Sequence, residues 1–207
     1  MTKPVRVFLL ARFCIYTHTS ATGRIVSSLY FPDGGAEIKA AVNQSSEPWR
    51  PLSTWILDQV PNLHSLSIHE LWQLTKARET YRKKHAELWN DTATDKNSQG
   101  PSLHMMDVIL CPAGPGAAPK LDGAKYWAYT SQWNLLDYPA LVFPVTRVNP
   151  AVDRWEAGFE PLGEKDKENF DAYKNAEEYA GAPVGLQLVG RRYEDERVST
   201  IRVLLCS

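Results

Sequence analysis

Three short apolar runs separated by longer helical stretches constrain the fold of this chain more than any other feature. The runs lie at residues 107–112, 140–145 and 184–189, and each has the length and composition of a buried strand. Helical patterns at 122–137 and 166–180 lie between successive runs. Short strands that alternate with helices are typical of α/β proteins, so the sequence predicts an α/β fold.

The clearest single element is a long helix within residues 65–90. Ser67 and Glu70 stand in the S-x-x-E relation of a capping box, which places the start of the helix at Ser67. Apolar residues recur at near-helical spacing after it, and they predict one stripe facing the core. That stripe comprises Leu71, Leu74, Tyr81, Leu88 and Trp89.

Two histidines on this helix do not form a metal site. His69 and His85 are too far apart for the i, i+4 pairing of a helical zinc motif. We therefore expect both at or near the surface.

Composition excludes several functional classes. The 207 residues are 43% hydrophobic and 23% charged, which fits one soluble globular domain with a sizeable core. The net charge is −1, and no apolar run approaches the roughly 18–20 residues that span a bilayer, so we expect neither a nucleic-acid nor a membrane partner.

The cysteines and the amino-terminal residues bear on location. Cys14, Cys111 and Cys206 are odd in number and widely spaced, which offers no disulfide framework and favours a cytoplasmic location. The first 32 residues contain basic side chains but no Asp or Glu, a composition that resembles a mitochondrial transit peptide. A mitochondrial location is therefore the alternative.

No constellation of residues yields an enzyme by itself. Cys111 ends an apolar run, but no base or cation flanks it to lower the pKa of the thiol, so we interpret it as a buried hydrophobic residue. The segment 114–116 (GPG) lacks the features of a phosphate loop. Residues 194–196 (EDE) fit the start of a helix better than a metal cluster. We assign no catalytic residue, no metal and no cofactor.

A series of motifs resembles the amidase-signature family, in particular its fungal acetamidase-like members. The motifs are 30–36 (YFPDGGA), 46–48 (SEP), 70–72 (ELW), 89–90 (WN), 107–112 (DVILCP), 133–134 (WN), 137–140 (DYPA) and 182–190 (APVGLQLVG). Each is weak alone, but their order matches the carboxy-terminal half of the family. The resemblance implies a partial amidase-signature fold with a mixed β-sheet flanked by helices. It covers residues 29–207, and it leaves residues 1–28 as an amino-terminal segment without resemblance.

The same resemblance implies what this chain lacks. The family hydrolyses carboxamide C–N bonds with a serine nucleophile, a second serine in a cis peptide linkage and an upstream lysine, and the serines lie in a Gly-Gly-Ser-Ser-Gly-Gly turn. The adjacent serine pairs here, Ser27-Ser28 and Ser45-Ser46, have no flanking glycines. The triad is therefore expected in sequence that would precede residue 29, as in a truncated product or an incomplete gene model, and the chain is expected to be inactive alone.

Two residues are candidates for a substrate pocket by the same resemblance. Trp133 and Asn134 close the helix that leads into the second apolar run, although packing and capping are the commoner roles of Trp and Asn at such a place. A small amide substrate is expected only if the missing half is supplied. The alternative is a non-catalytic pseudo-amidase that self-associates or pairs with an amidase.

Overall fold

The computed structural model describes residues 7–9, 20–60, 62–93, 105–154 and 158–206. Its helices are α1 (Ser20–Tyr30), α2 (Ala36–Gln44), α3 (Pro51–Asp58), α4 (Ile68–Asn90), α5 (Ala128–Leu136), α6 (Glu164–Ala172) and α7 (Asp195–Cys206), with a short 3-10 helix at Ala176–Tyr179. Its strands are β1 (Val7–Leu9), β2 (Val108–Pro112), β3 (Ala140–Arg147) and β4 (Pro183–Val189). The predicted α/β class is confirmed. Among the helices described, none combines the length and apolar character that crossing a bilayer requires.

The four strands form one mixed sheet in the order β1-β2-β4-β3. β1 runs parallel to β2, whereas β4 lies antiparallel to both β2 and β3. Three of the strands are the predicted apolar runs. The fourth, β1, lies within the first 28 residues, where the sequence analysis predicted no strand.

Helices cover both faces of the sheet. Alternate residues of each strand point to opposite sides, and they contribute to two separate clusters. The first cluster joins the sheet to α4 and α5, and it contains Trp89, Met106, Ile109, Cys111, Trp133, Leu136 and Val189. The second joins the sheet to α7, and it contains Val108, Phe143, Leu188, Val198 and Ile201. A third, smaller cluster of Phe31, Leu57 and Val60 lies outside the sheet.

The start of α4 agrees with its predicted cap. Ser67 accepts a hydrogen bond from the backbone N–H of Glu70, and the Glu70 carboxylate accepts one from the N–H of Ser67. The predicted core stripe is confirmed only in part, because Trp89 is fully buried whereas Leu71 near the amino terminus is exposed. The expectation that His85 lies near the surface is wrong, since its side chain is 1% exposed against Tyr81.

Two predicted helices differ from those in the structure. The helix predicted over 122–137 begins only at Ala128, because Asp122 adopts a positive φ and a turn closes from the N–H of Gly123 to the carbonyl of Lys120. The helix predicted over 166–180 is divided into α6 and the 3-10 helix, whose start is capped by the Asn175 side chain.

The strand predicted as buried at 140–145 is mostly exposed in the structure. β3 pairs only with β4 among the described strands, and Val142 is 56% exposed. Its register shifts between Pro144 and Thr146, which accommodates a proline that cannot donate to the ladder. An edge position therefore explains both the exposure and the proline.

Candidate functional site

A large cleft lies where β2 ends, on the face of the sheet that also carries α5. Its volume is about 1160 Å³, which is ample for a small-molecule ligand. The loop 113–120 forms one wall, and 123–126, β3 and α6 contribute the others. Val142 and Gly185 form its floor, and a Cβ on Gly185 would contact Val142. The exposure of Val142 is thus an exposure to this cleft.

The loop 113–120 is rich in Gly, Ala and Pro, and it runs beside the start of β4. The N–H of Ala118 donates to the carbonyl of Pro183 over 2.9 Å. Gly116 packs so closely on Tyr173 that an added Cβ would lie 2.8 Å from the ring. Tyr173 in turn donates its hydroxyl to the carbonyl of Ala117 over 2.5 Å. The small residues of the loop therefore allow it to pack against Tyr173, and they place no large side chains in the cleft.

Gln187 fixes two sides of the cleft from within the sheet. Its side chain is 1% exposed, and Nε2 donates to the carbonyls of Pro112 and Tyr129, each over 2.8 Å. Pro112 is the last residue of β2, and Tyr129 lies in the first turn of α5. Gln187 was not among the predicted site residues, although a glutamine inside the apolar run 184–189 is a usable signal.

The charged side chains of the cleft are mostly basic. Lys120 forms an ion pair with Glu178, and Lys165 pairs with Glu168 over 2.9 Å. Arg147 donates from Nη1 to the carbonyl of Gly181 over 2.9 Å. Burial raises the pKa of the Tyr173 hydroxyl, with a further contribution from Tyr179, so this phenol stays a neutral hydrogen-bond donor at neutral pH.

The cleft can bind and orient a ligand, whereas its described lining lacks the side chains of a serine or cysteine hydrolase. That lining includes neither serine nor threonine, cysteine or histidine. Across the described residues, no group of three or more His, Cys, Asp or Glu side chains is arranged to hold a metal ion. The lysines, tyrosines and Glu168 of the lining offer charged and hydrogen-bonding contacts to a ligand.

The two residues predicted for a substrate pocket lie elsewhere, whereas the segment 114–116 belongs to the wall of the cleft. Trp133 is 1% exposed in the core between α4, α5 and the sheet, and Asn134 lies on the surface of α5. Asn134 donates from Nδ2 to the Tyr30 hydroxyl over 2.6 Å, and Tyr30 stacks on Trp127. Neither Trp133 nor Asn134 lines the described cleft, and their pocket role stays a prediction.

The other two candidates match their structural interpretations. Cys111 is buried in the first core cluster, as expected for a small hydrophobic residue. Asp195 and Glu196 lie in the first turn of α7, where negative charge suits the helix dipole.

Fold and cleft together define an α/β protein with a ligand-sized cleft at the end of a mixed sheet. Residues 20–198 match the model of the Amidase family, and this chain belongs to that family. It is 43% identical over 174 residues to a putative amidase of Schizosaccharomyces pombe, and the match covers 84% of this chain and 30% of that protein. It is 30% identical over 177 residues to an acetamidase of Emericella nidulans, covering 86% of this chain and 31% of that protein.

A solved structure agrees with the sequence comparisons. The chain resembles fatty acid amide hydrolase with a TM-score of 0.71 and 27% identity, covering 84% of this chain and 29% of that protein. The chain therefore has the amidase-signature fold in part, and it spans about a third of the length of the curated relatives it matches.

Proposed function

We propose that this chain is the carboxy-terminal portion of an amidase that hydrolyses carboxamide C–N bonds, and that the chain alone has no hydrolytic activity. The partial match carries the proposal, since 84% of this chain aligns with only 30% of the S. pombe relative. The remaining part of such a protein would supply the reacting groups, and this chain would supply the fold beneath the substrate and one wall of its cleft.

The remaining part of the amidase and this chain would contribute different groups to the reaction. The family resemblance implies a serine nucleophile, a second serine in a cis peptide and a lysine that moves protons, with backbone N–H groups of a glycine-rich turn stabilising the oxyanion. Of the two serine pairs in this chain, Ser27 lies in α1, and Ser45 caps the end of α2. Neither pair lines the described cleft. This chain's own groups would bind and orient the amide and exclude water from it.

The direct test is an ammonia-release assay on the purified chain with acetamide and benzamide. We expect release no higher than from a heat-killed sample, because no serine is among the described lining residues and the sequence contains no Gly-Gly-Ser-Ser-Gly-Gly turn. The E. nidulans acetamidase, assayed in parallel, serves as the positive control. Reproducible turnover by the isolated chain would refute this function.

A non-catalytic role as a partner subunit is the second candidate, favoured by exposed apolar side chains near the start of α4. Ile68 is 70% exposed and Trp72 67% exposed, in a helix whose other end is fully buried at Trp89. Apolar side chains grouped on a surface indicate an interaction site. Size-exclusion chromatography separates the alternatives, since a compact monomer or dimer supports an independent subunit and aggregation supports an orphan portion of an amidase.

The chain's cysteine spacing supports a cytoplasmic location for either role. Fractionation of cells that produce a tagged chain would check this, with recovery in the mitochondrial fraction as the contrary result.

A further inference from the structure

The cleft carries an excess of positive charge in a protein that is close to neutral. Four basic residues line it, Lys120, Lys125, Arg147 and Lys165, against Glu168 as the one carboxylate in its described lining. Ion pairs with Glu178 and Glu168 neutralise Lys120 and Lys165. Within the described part of the chain, Lys125 and Arg147 form no ion pair with a carboxylate. Two cationic groups of the cleft therefore have no carboxylate partner among the described residues.

Arg147 is an exposed cation whose guanidinium is bound to the backbone. It is the last residue of β3 and pairs in register with Pro183 of β4. Its Nη1 donates to the carbonyl of Gly181, which is in the left-handed conformation with φ 76°. A guanidinium has five N–H donors in a rigid fork, so one hydrogen bond to the backbone orients the group and leaves further donors for a ligand.

The rest of the lining suits a flat and mostly apolar ligand body. Tyr126, Tyr173 and Tyr179 present aromatic surface, and the Gly-Ala-Pro loop 113–120 adds an apolar wall. An apolar pocket with a few polar groups in fixed positions is the usual arrangement for recognising a small molecule, with the polar groups setting its orientation. Arg147, held by its hydrogen bond to Gly181, is such a polar group here, and it is cationic.

We propose that this cleft selects amides that also carry a carboxylate, with Arg147 as the principal anion-binding residue and Lys125 as a second charge. This inference rests on the proposed function, since it names the substrate class of the same cleft. Carboxylate and guanidinium form paired, charge-assisted hydrogen bonds that are stronger than those between neutral groups. A carboxylate at one end of the ligand would leave its amide end for the catalytic groups of the complete amidase.

The test compares two ligands that differ in that charge. Binding of 4-carbamoylbenzoate and of 4-methylbenzamide to the full chain would be measured by isothermal titration calorimetry and by ligand-observed NMR. Both ligands present an aromatic ring and a primary amide. We expect 4-carbamoylbenzoate to bind about tenfold more tightly than the neutral amide, and its advantage to shrink as salt is added.

Three variants identify the residue responsible. Arg147→Gln should remove most of the preference for the carboxylate, and Arg147→Lys should restore only part of it because lysine lacks the planar fork. Lys84→Gln on the exposed side of α4 makes the same change of charge outside the cleft, and it should leave the preference intact. Circular dichroism of each variant checks that the fold is retained.

Equal affinity for the two ligands would overturn the inference, as would a preference that survives Arg147→Gln or an absence of binding to the folded chain. These results are separate from failure of the proposed function, which is measured as amide hydrolysis. A complete amidase containing this chain that hydrolysed neutral and carboxylate-bearing amides equally well would refute only the carboxylate selectivity. Selective binding of the carboxylate without hydrolysis in such a protein would refute only the amidase function.

Discussion

Gln187 shows how one buried polar side chain shapes a cleft that it does not line. Its amide connects the end of β2 to the first turn of α5, so the two elements that flank the cleft keep a fixed separation. The motif 182–190 is the most specific part of the family resemblance, and other positions in it have equally physical roles. A Cβ on Gly190 would overlap Val198, so glycine lets α7 pack directly on the sheet.

We expect Gln187→Met to lower the free energy of unfolding by roughly 2 kcal/mol, because two carbonyls lose their side-chain donor in a buried site. Urea denaturation would measure the change. Gln73→Met on the exposed side of α4 is the matched control, and it should change stability by less than about 0.5 kcal/mol. Equal effects of the two substitutions would show that the Gln187 hydrogen bonds do not stabilise the cleft.

His85 predicts a loss of stability in mild acid. Burial lowers the pKa of its imidazole from 6.5 to about 4. At pH above about 7 the ring is neutral in both states, so it adds no pH dependence. As the pH falls through 6.5, the unfolded chain binds a proton that the folded chain does not, and stability decreases. The expected loss is about 2 kcal/mol between pH 7 and pH 5.

The measurement is the free energy of unfolding at several pH values for His85→Gln and for the parent chain. His85→Gln should remove this part of the acid dependence, whereas His69→Gln on the exposed face should retain it. His64 contributes with the opposite sign, because hydrogen bonds to Asn62 and Glu70 raise its pKa, and both comparisons leave it unchanged. A parent chain equally stable at pH 5 and pH 7, with no change in His85→Gln, would contradict the burial of a neutral His85.

At the scale of single elements, the capping box of α4 offers a direct test of how a local sequence signal stabilises the fold. Ser67→Ala and Glu70→Ala each remove one of its two reciprocal hydrogen bonds, and each should cost about 1 kcal/mol in urea denaturation. Glu87→Ala near the other end of the same helix is the control, since the ion pair given for the Glu87 side chain among the described residues is a 3.9 Å contact with Lys83. If all three variants lost the same stability, the effect would lie in helix propensity and not in the cap.

The elements that local chemistry determines were predictable, and those that depend on neighbours were less so. The cap of α4 and the strands β2 and β4 depend on residues that are close together in the sequence. The structure confirms these three predictions. The exposure of β3 follows from its place in the sheet, which no local pattern encodes. The late start of α5 depends on a turn at Asp122 and Gly123 that a helical apolar pattern concealed.

The cleft was not predictable from the sequence, because it also depends on how separate elements pack against one another. Arg147, Tyr173 and the loop 113–120 are far apart in the chain, and only the pairing of β3 with β4 and the packing of α6 bring them together. Gln187 was the one local signal, as a polar residue in an apolar run. Trp133 and Asn134 were predicted from the family resemblance. In the structure Trp133 packs in the first core cluster, and Asn134 donates a hydrogen bond to Tyr30.

For the molecule as a whole, exposed apolar surface should govern association. Ile68, Trp72 and Val145 are all substantially exposed, and β3 presents an edge of the described sheet. Such surfaces favour self-association and edge-to-edge pairing. We expect the chain to bind the dye ANS and to elute from a sizing column at a concentration-dependent position.

Trp72→Arg should reduce both the dye signal and the association without lowering the melting temperature, because this side chain is 67% exposed. Trp89→Arg is the contrasting variant, and it should unfold the chain because Trp89 is fully buried. A chain that neither bound the dye nor associated would favour a self-sufficient subunit.

The most direct test of the central claim is a chimera in which the matched 31% of the E. nidulans acetamidase is replaced by the corresponding residues of this chain. Ammonia release from acetamide would be measured for the chimera, for the acetamidase lacking that segment and for this chain alone. We expect release by the chimera and none by either part alone. A chimera that folds with a cooperative thermal transition but releases no ammonia, or an isolated chain that does release it, would contradict the proposal that this chain is the carboxy-terminal portion of an amidase and inactive alone.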